Sequence, residues 1–205
     1  AASIQKVVEE VLINIAKTIK KETGLSNLCL SGGVALNCVA NGKLIKEKIF
    51  DDIWIQPASG DAGSSVGCAL LAYYKFHNKE RKINTYDSMK GSLLGPLYTN
   101  KKIVDYLNTI NATFKTLEEK IIFDEVAKLI EKGYVIGWFS GPMEFGPRAL
   151  GARSILGDPR NPKMQRKINL KVKYREDFRP FAPSVLEEEA SNKFEISTKS
   201  PYMLL

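Results

Sequence analysis

The sequence predicts an α/β fold. Stretches with helical periodicity alternate with short apolar runs typical of strands, and Gly-rich turns separate them. With 205 residues, of which 44% are hydrophobic, the chain can hold one large domain or two small ones. No apolar run approaches the roughly 20 residues that a membrane-spanning helix needs, so we expect no membrane partner.

The first part of the chain predicts helices and strands in alternation. Apolar residues from Ile4 to Ile19 recur at helical spacing, which predicts an amphipathic helix over 3–22 that Gly24 ends. The elements expected next are a short apolar strand at 28–30, a helix at 34–48, an alternating strand at 52–56, a loop at 57–63 and a mostly apolar helix at 64–76 that should be buried.

A polar and charged stretch at 77–91 predicts a linker or domain boundary. Beyond it, the elements expected are a helix at 99–107, a strand at 112–115, a helix at 124–132, a strand at 134–139 and a basic helix at 161–173.

Two Gly-rich loops leave predicted strands and enter predicted helices, SGG at 31–33 and GDAG at 60–63. Ligands of open α/β sheets bind at the carboxyl ends of strands, and helix N-termini there present free N–H groups to phosphates. Gly32, Gly33 and Asn37 could therefore approach a nucleotide, and Asp61 could hold a divalent cation or a ligand hydroxyl. Ordinary strand-to-helix turns, with Asp61 as an N-cap, are the equally open alternative.

The stretch at 140–160, SGPMEFGPRALGARSILGDPR, follows a predicted strand and carries Arg148, Arg153 and Arg160 between glycines. Glycine lets backbone come close to a ligand, and arginine offers fixed donors suited to phosphate and carboxylate oxygens. This pattern predicts an anion or phosphate-ester pocket, with a basic surface turn as the alternative. Four apolar residues favour the pocket, because they should draw the loop onto a core: Phe145, Leu150, Ile155 and Leu156.

The positive charge of the chain is concentrated in one region. Residues 141–180 hold six Arg and four Lys against two Glu and two Asp, a net +6 out of +7 for the whole chain. Such a patch attracts anionic ligands, and a nucleic-acid-binding module that stacks bases on Phe178 and Phe181 is one alternative. The arginines alternate with Gly, Pro and apolar residues, which favours a pocket, so we expect no nucleic-acid partner. An actin-like kinase or chaperone domain, suggested by the two Gly-rich loops, leaves the arginines unexplained.

The cysteines and the single histidine bear on compartment and metal binding. Cys29, Cys38 and Cys68 lie in apolar contexts without a C-x-x-C pair, which predicts three reduced core thiols and a cytoplasmic protein. His77 lies in a polar run and is expected at the surface, so no histidine-rich metal cage can form from this chain alone.

Four motifs together resemble the carbamoyltransferase family, the group of nodulation protein U and the antibiotic O-carbamoyltransferases. They are LSGGVALN (30–37), SGDAGSSVGCAL (59–70), MEFGPRALGARSIL with DPR (143–156 and 158–160) and REDFRPFAPSV (175–185). The resemblance implies that residues 1–78 are the end of an actin-like (Kae1-like) ATPase-type domain, with a linker at 79–90. It implies that residues 91–205 are a truncated YrdC-like α/β domain.

The resemblance also implies an activity and a set of site residues. Such enzymes use ATP and carbamoyl phosphate as substrates, form carbamoyl-adenylate, and pass the carbamoyl group to an acceptor hydroxyl with a bound divalent metal, iron. By motif, the residues expected to bind phosphate and act in catalysis are Arg148, Arg153, Lys173, Arg175 and Arg179. Those expected to contact the adenylate are Gly32, Gly33, Asn37 and Ser154, and Asp61 is the expected metal ligand.

The chain departs from the family pattern at Pro142, Ala152 and Gly157, where Arg, Asn and Ala are usual, so one anion contact is expected to be lost. The H-x-x-x-H metal ligands and the N-terminal phosphate loop of the family do not occur in this sequence, and it does not begin with Met. We therefore expect an incomplete piece of an enzyme that cannot by itself transfer carbamoyl groups to an acceptor.

Overall fold

The computed structural model describes residues 2–83, 85–196 and 198–205. These residues form two compact units. Unit 1 comprises Ala1–Leu94, Glu144–Arg148 and Ser200–Leu205, and unit 2 comprises Gly95–Met143 and Ala149–Lys199. The chain mixes helices with two small sheets, as expected for an α/β protein.

Unit 1 is built around a parallel pair of strands. Its elements are α1 (Ala2–Thr23), β1 (Asn27–Leu30), a 3₁₀ turn (Gly33–Leu36), α2 (Cys38–Lys46), β2 (Asp52–Ile55), α3 (Asp61–Leu71), a π-helical turn (Ala72–Phe76) and a 3₁₀ turn (Lys90–Ser92). Strand β1 pairs in parallel with β2, with Leu28 opposite Ile53 and Leu30 opposite Ile55. Leu28 packs with Ala16, Leu44 and Phe50 in the core beneath α1 and α2.

The helix predicted at 34–48 is divided in the structure. Asn37 ends the 3₁₀ turn, and its side chain accepts a hydrogen bond from the Ala40 N–H, so that α2 begins at Cys38. An amide oxygen is a preferred N-cap, and this local bond outweighs the continuous helical pattern. At the other end, Lys48 has a φ of 51°, which stops the helix before its predicted end.

The helix predicted at 64–76 begins earlier, at Asp61, and contains no buried residue in its α-helical part. The expectation that it is buried was therefore wrong. Its composition is mostly apolar, so the sequence does not single out one face for packing. Leu71 and Phe76 remain 53% and 81% exposed.

Unit 2 contains an antiparallel pair of strands and four α-helices among its described residues. They are α4 (Asn100–Thr109), α5 (Glu119–Glu131), β3 (Ile136–Phe139), β4 (Arg153–Leu156), α6 (Met164–Lys171) and α7 (Ala190–Lys193), with a 3₁₀ turn at Glu187–Glu189. Ile136 lies opposite Leu156, and Phe139 opposite Arg153. Strand β4 falls inside the stretch predicted to be a loop, because its polar first residues conceal the strand pattern.

The strand predicted at 112–115 does not form, and α5 begins at Glu119, before its predicted start. In the described part of unit 2, β3 pairs with β4 instead, and the Ala112 N–H bonds back to the Leu107 carbonyl. Phe145, Leu150, Ile155 and Leu156 are half-buried, so they anchor the 140–160 stretch only in part.

The cysteines are free, as predicted, but they are not core thiols. Cys29 and Cys68 are exposed and Cys38 is intermediate. Alternation along β1 places Cys29 on the face opposite Leu28, beside its exposed cross-strand neighbour Trp54. His77 is exposed, as predicted. Across the described ranges, no helix has the length and apolarity needed to span a bilayer.

Candidate functional site

The carboxyl ends of β1 and β2 lie side by side in unit 1, and the two Gly-rich loops leave from them. The Gly32 N–H donates to the Ser59 carbonyl at 2.7 Å, and the Gln56 N–H donates to the Leu30 carbonyl at 3.1 Å. Gly32 has a φ of 99°, which favours glycine at this position. The SGG turn and the 57–63 loop thus form one edge, which we call the strand-end site.

Arg148 belongs to unit 1 and lies at this edge. Its Nη2 donates to the Leu36 carbonyl at 2.9 Å, at the end of the 3₁₀ turn that begins at Gly33. Its Nε is buried and has no hydrogen-bond partner among the described residues, and the same holds for the Ser59 hydroxyl. Buried polar atoms are normally paired, so this edge retains unused hydrogen-bonding capacity that a polar ligand or water could satisfy.

Two glycines bring backbone segments close together at the strand-end site. A Cβ on Gly146 would lie 3.3 Å from the Ala58 Cβ, and Gly146 has a φ of 133°. A Cβ on Gly63 would lie only 2.1 Å from the Ala58 carbonyl oxygen. These contacts pack the GPR turn and the start of α3 against the buried residues 57–59, which fixes the shape of the edge.

Asn37 is held by a network of side chains from α1 and α2. Its Nδ2 donates to Gln5 Oε1 at 2.9 Å, and Gln5 Nε2 donates both to Asn37 Oδ1 at 3.2 Å and to Glu9 Oε1 at 2.8 Å. Lys43 forms an ion pair with Glu9, and its hydrogen bond, aided by that of Gln5, lowers the pKa of the Glu9 carboxyl below its usual value. The network fixes the Asn37 amide in one orientation at the entrance of α2.

Asp61 is exposed and occupies the first turn of α3, with Gly60 as the N-cap. The alternative role proposed for it, that of N-cap, is therefore wrong. Within residues 2–83, 85–196 and 198–205, no group of three or more His, Cys, Asp or Glu side chains could hold a metal ion. A metal needs several such ligands, so the described residues do not fit a resident divalent ion on their own.

Arg153 lies in unit 2, at the start of β4, and belongs to a different unit from Arg148. Its Nη1 donates to the carbonyls of Ser140, Gly141 and Ala152 at 2.9–3.1 Å, and its guanidinium stacks on the Phe139 ring at 3.5 Å. The neighbouring Ser154 hydroxyl accepts a hydrogen bond from the Gly151 N–H at 3.0 Å. These bonds tie residues 140–141 and 151–154 to the sheet of unit 2.

The remaining predicted site residues lie together in unit 2, in the segment at 173–179 that follows α6. Lys173 and Arg179 are exposed, and Arg175 is half-buried. Arg175 Nε donates to Asn169 Oδ1 at 2.7 Å, and Arg179 Nε donates to Glu176 Oε2 at 2.7 Å. The bond from Arg179 lowers the pKa of the Glu176 carboxyl.

Sequence reasoning missed Asn169, although it is fully buried and holds this segment. The available signal was a pair of amide side chains, Gln165 and Asn169, four residues apart on one helix. The structure thus gathers the predicted residues into two groups. Gly32, Gly33, Asn37, Asp61 and Arg148 lie in unit 1, and Arg153, Ser154, Lys173, Arg175 and Arg179 lie in unit 2.

Comparison with known proteins gives two family matches. Residues 1–70 match the family described as the carbamoyltransferase N-terminus, and residues 127–205 match the carbamoyltransferase C-terminus. The chain is 53% identical over 207 residues to uncharacterized protein sll1178 of Synechocystis, covering 100% of this chain and 34% of that protein. It is 42% identical over 197 residues to nodulation protein NolO of Bradyrhizobium diazoefficiens, covering 96% of this chain and 35% of that protein.

A third relative is nodulation protein U of the same Bradyrhizobium. The chain is 31% identical to it over 210 residues, which cover 99% of this chain and 34% of that protein. The chain therefore spans about a third of the length of the curated relatives that it matches.

Proposed function

Since the chain belongs to the carbamoyltransferase family, we propose that it is part of an O-carbamoyltransferase that uses ATP and carbamoyl phosphate. The observation that carries the proposal is Arg148 at the strand-end site: one guanidinium N–H donates to the Leu36 carbonyl, and the buried Nε has no hydrogen-bond partner among the described residues. A permanent cation bonded to the Leu36 carbonyl, at the end of the 3₁₀ turn that begins at Gly33, suits a phosphate ester.

The proposed reaction has an activation step and a transfer step. Carbamoyl phosphate loses its phosphate to water, and an oxygen of the resulting carbamate attacks the α-phosphorus of ATP. The bond to pyrophosphate breaks, and carbamoyl-adenylate forms. A hydroxyl of the acceptor then attacks the carbamoyl carbon, loses its proton and displaces AMP. Negative charge concentrates on phosphate oxygens in the activation step, where positioned cationic donors are most effective.

We assign the two groups of residues to different parts of this chemistry. In unit 1, Gly32, Gly33 and Asn37 would bind the adenylate through close backbone approach, with Arg148 at its phosphate. In unit 2, Lys173, Arg175 and Arg179 would form a separate site, which binds the phosphates of ATP and carbamoyl phosphate during activation. Arg153 and Ser154 would keep residues 140–141 and 151–152 on the sheet of unit 2. No step is assigned to a metal, although Asp61 is kept as a single candidate ligand.

The finer fold and location are part of the same proposal. We propose that residues 1–78 are the end of an actin-like (Kae1-like) domain and residues 91–205 a YrdC-like domain, with a linker at 79–90. The parallel strands β1 and β2, with Gly-rich loops at their carboxyl ends, support the first assignment. We also propose a cytoplasmic location, in keeping with free cysteines.

The experiment that tests the proposal is titration calorimetry of this chain with ATP. We expect Arg148→Ala to weaken ATP binding at the strand-end site of unit 1 tenfold or more, equivalent to about 1.4 kcal/mol or above, because a charge-assisted donor is lost. Arg81→Ala removes the same charge from an exposed position at 77–91 and serves as the matched control. Equal affinities for the two variants would remove Arg148 from the site.

The salt dependence of binding separates this proposal from a nucleic-acid module. An enclosed pocket for a small anion should lose little affinity between 50 and 200 mM salt, whereas nucleic-acid binding through many phosphates falls by orders of magnitude. Weak ATP binding together with steeply salt-dependent binding of single-stranded nucleic acid would favour the module instead.

A further inference from the structure

The segment at 174–179 reverses direction at the end of α6 and lies back along that helix. Tyr174 makes the turn with a φ of 49°, an uncommon conformation for a residue with a side chain. The Lys173 N–H still bonds to the Ile168 carbonyl, whereas the Arg175 N–H bonds to the Asn169 carbonyl at 3.0 Å. The chain therefore folds back onto the last turn of the helix that it has just left.

Asn169 supplies most of the polar contacts that hold this reversed segment. Its Nδ2 donates to the carbonyls of Asp177 at 3.1 Å and Arg179 at 2.8 Å, while its Oδ1 accepts from Arg175 Nε at 2.7 Å. One turn earlier, Gln165 Nε2 donates to the carbonyls of Phe178 at 3.2 Å and Arg179 at 3.1 Å. Two amides on one face of α6 thus bind three consecutive carbonyls.

Apolar packing does not account for the order of this segment. Tyr174 and Phe178 are 85% and 74% exposed, so the large apolar side chains here do not anchor it. The two ion pairs it makes, Arg166 with Asp177 and Arg179 with Glu176, are exposed pairs, and exposed pairs contribute little. Asn169, by contrast, is fully buried, and a buried amide whose bonds are all satisfied fixes its partners firmly.

We infer that Asn169, assisted by Gln165, is a positioning residue for anion binding. Its carboxamide holds the backbone at 177–179 and the guanidinium of Arg175 at the same time. It therefore fixes the positions of Arg175 and Arg179. The inference rests on the proposed function, because it assigns Arg175 and Arg179 to phosphate. The ligand is an anion of phosphate chemistry, and Asn169 itself does not contact it.

Amide hydrogen exchange on the 205-residue chain tests the structural half of this inference without any ligand. Asn169→Leu, which replaces the amide by an apolar side chain of similar size, should raise exchange across 174–181 at least tenfold and leave α5 unchanged. Gln165 is exposed, so Gln165→Ala should not prevent folding, and it should give a smaller increase in exchange across 174–181. Asn108→Leu, at an exposed position on α4 of the same unit, is the matched control. Unchanged exchange at 174–181 in Asn169→Leu, or in Gln165→Ala should the first variant not fold, would overturn the inference.

Calorimetry with ATP and with carbamoyl phosphate tests the functional half. If Asn169 acts through Arg175, Asn169→Leu weakens binding at least tenfold, and the double variant with Arg175→Ala is little weaker than the worse single variant. Wild-type affinity in Asn169→Leu, or losses that multiply in the double variant, would overturn the positioning role. If Arg175→Ala and Arg179→Ala both bind normally, the proposed function of this segment fails, while the exchange result still decides what Asn169 holds.

Discussion

Gly63 offers the sharpest test of how the strand-end site is built. A Cβ at this position would lie 2.1 Å from the carbonyl oxygen of Ala58, whereas carbon–oxygen contacts in proteins begin at about 3.3 Å. The obstacle is backbone in a buried loop, so the loop or the start of α3 must move by roughly 1 Å. Overpacking of this kind costs about 1–3 kcal/mol and occasionally more. We expect Gly63→Ala to destabilise unit 1 by about 2 kcal/mol or more.

The same helix contains the control. A Cβ on Gly67 meets nothing within 4 Å. Alanine is more favourable than glycine in a helix interior by about 1 kcal/mol, so Gly67→Ala should stabilise the unit slightly. Each unit holds one tryptophan, Trp54 in unit 1 and Trp138 in unit 2. Urea unfolding followed by fluorescence in a Trp138→Phe background therefore reports unit 1 alone. Equal urea midpoints for Gly63→Ala and Gly67→Ala would show that a Cβ at position 63 meets no obstacle.

Two further predictions concern charged residues. Arg153→Lys should destabilise unit 2 by about 1 kcal/mol or more, because an ammonium lacks the planar face that the guanidinium stacks on the Phe139 ring. Urea unfolding in a Trp54→Phe background measures this change in stability. An unchanged midpoint would show that the stacking contributes nothing. The pKa of the Glu9 carboxyl is lowered in the folded state, so its contribution to stability is present above about pH 4.5 and is lost as the pH falls through the folded-state pKa. Glu9→Gln should therefore make the free energy of unfolding of unit 1, measured through Trp54 fluorescence, less dependent on pH in the acid range. A dependence as steep as in the wild type would count against the ion pair of Glu9 with Lys43.

The sequence predicted the elements that have a clear period or a strong boundary. The helix expected at 3–22 is observed at Ala2–Thr23, and the strand expected at 52–56 at Asp52–Ile55. Regular apolar spacing over many residues leaves little choice of structure. Helix boundaries that depend on a single side chain were harder to predict. The N-cap hydrogen bond of Asn37 divides one predicted helix, and the periodicity of apolar residues carries no information about such a bond.

Burial and partnership were harder to predict than secondary structure. The apolar helix at 64–76 was expected to be buried, yet α3 has no buried residue, because composition alone does not tell which element covers a helix. The strand predicted at 112–115 and the strand β4 that was not predicted have the same cause. A strand forms only where another strand pairs with it, and β3 pairs with β4. Cys29 was expected in the core, but the alternation of side chains along β1 places it on the face opposite the core.

For the candidate site, the motifs selected residue types but not their grouping. Arg148 and Arg153 are five residues apart in one motif, yet they belong to different compact units and have different surroundings. In the described part of the chain the Nε of Arg148 has no hydrogen-bond partner, whereas Arg153 donates to three carbonyls and stacks on the Phe139 ring. Such differences depend on contacts between residues distant in sequence, such as Arg148 with Leu36, which local spacing cannot specify.

The measurement that tests the central proposal most directly is ATP–pyrophosphate exchange by this chain, with and without carbamoyl phosphate. If its residues carry the activation chemistry, labelled pyrophosphate should enter ATP only when carbamoyl phosphate is present, and Arg175→Ala should reduce the rate at least tenfold. Exchange that is absent under all conditions, or that proceeds equally well without carbamoyl phosphate, would contradict the assignment of carbamoyl-adenylate formation to this chain.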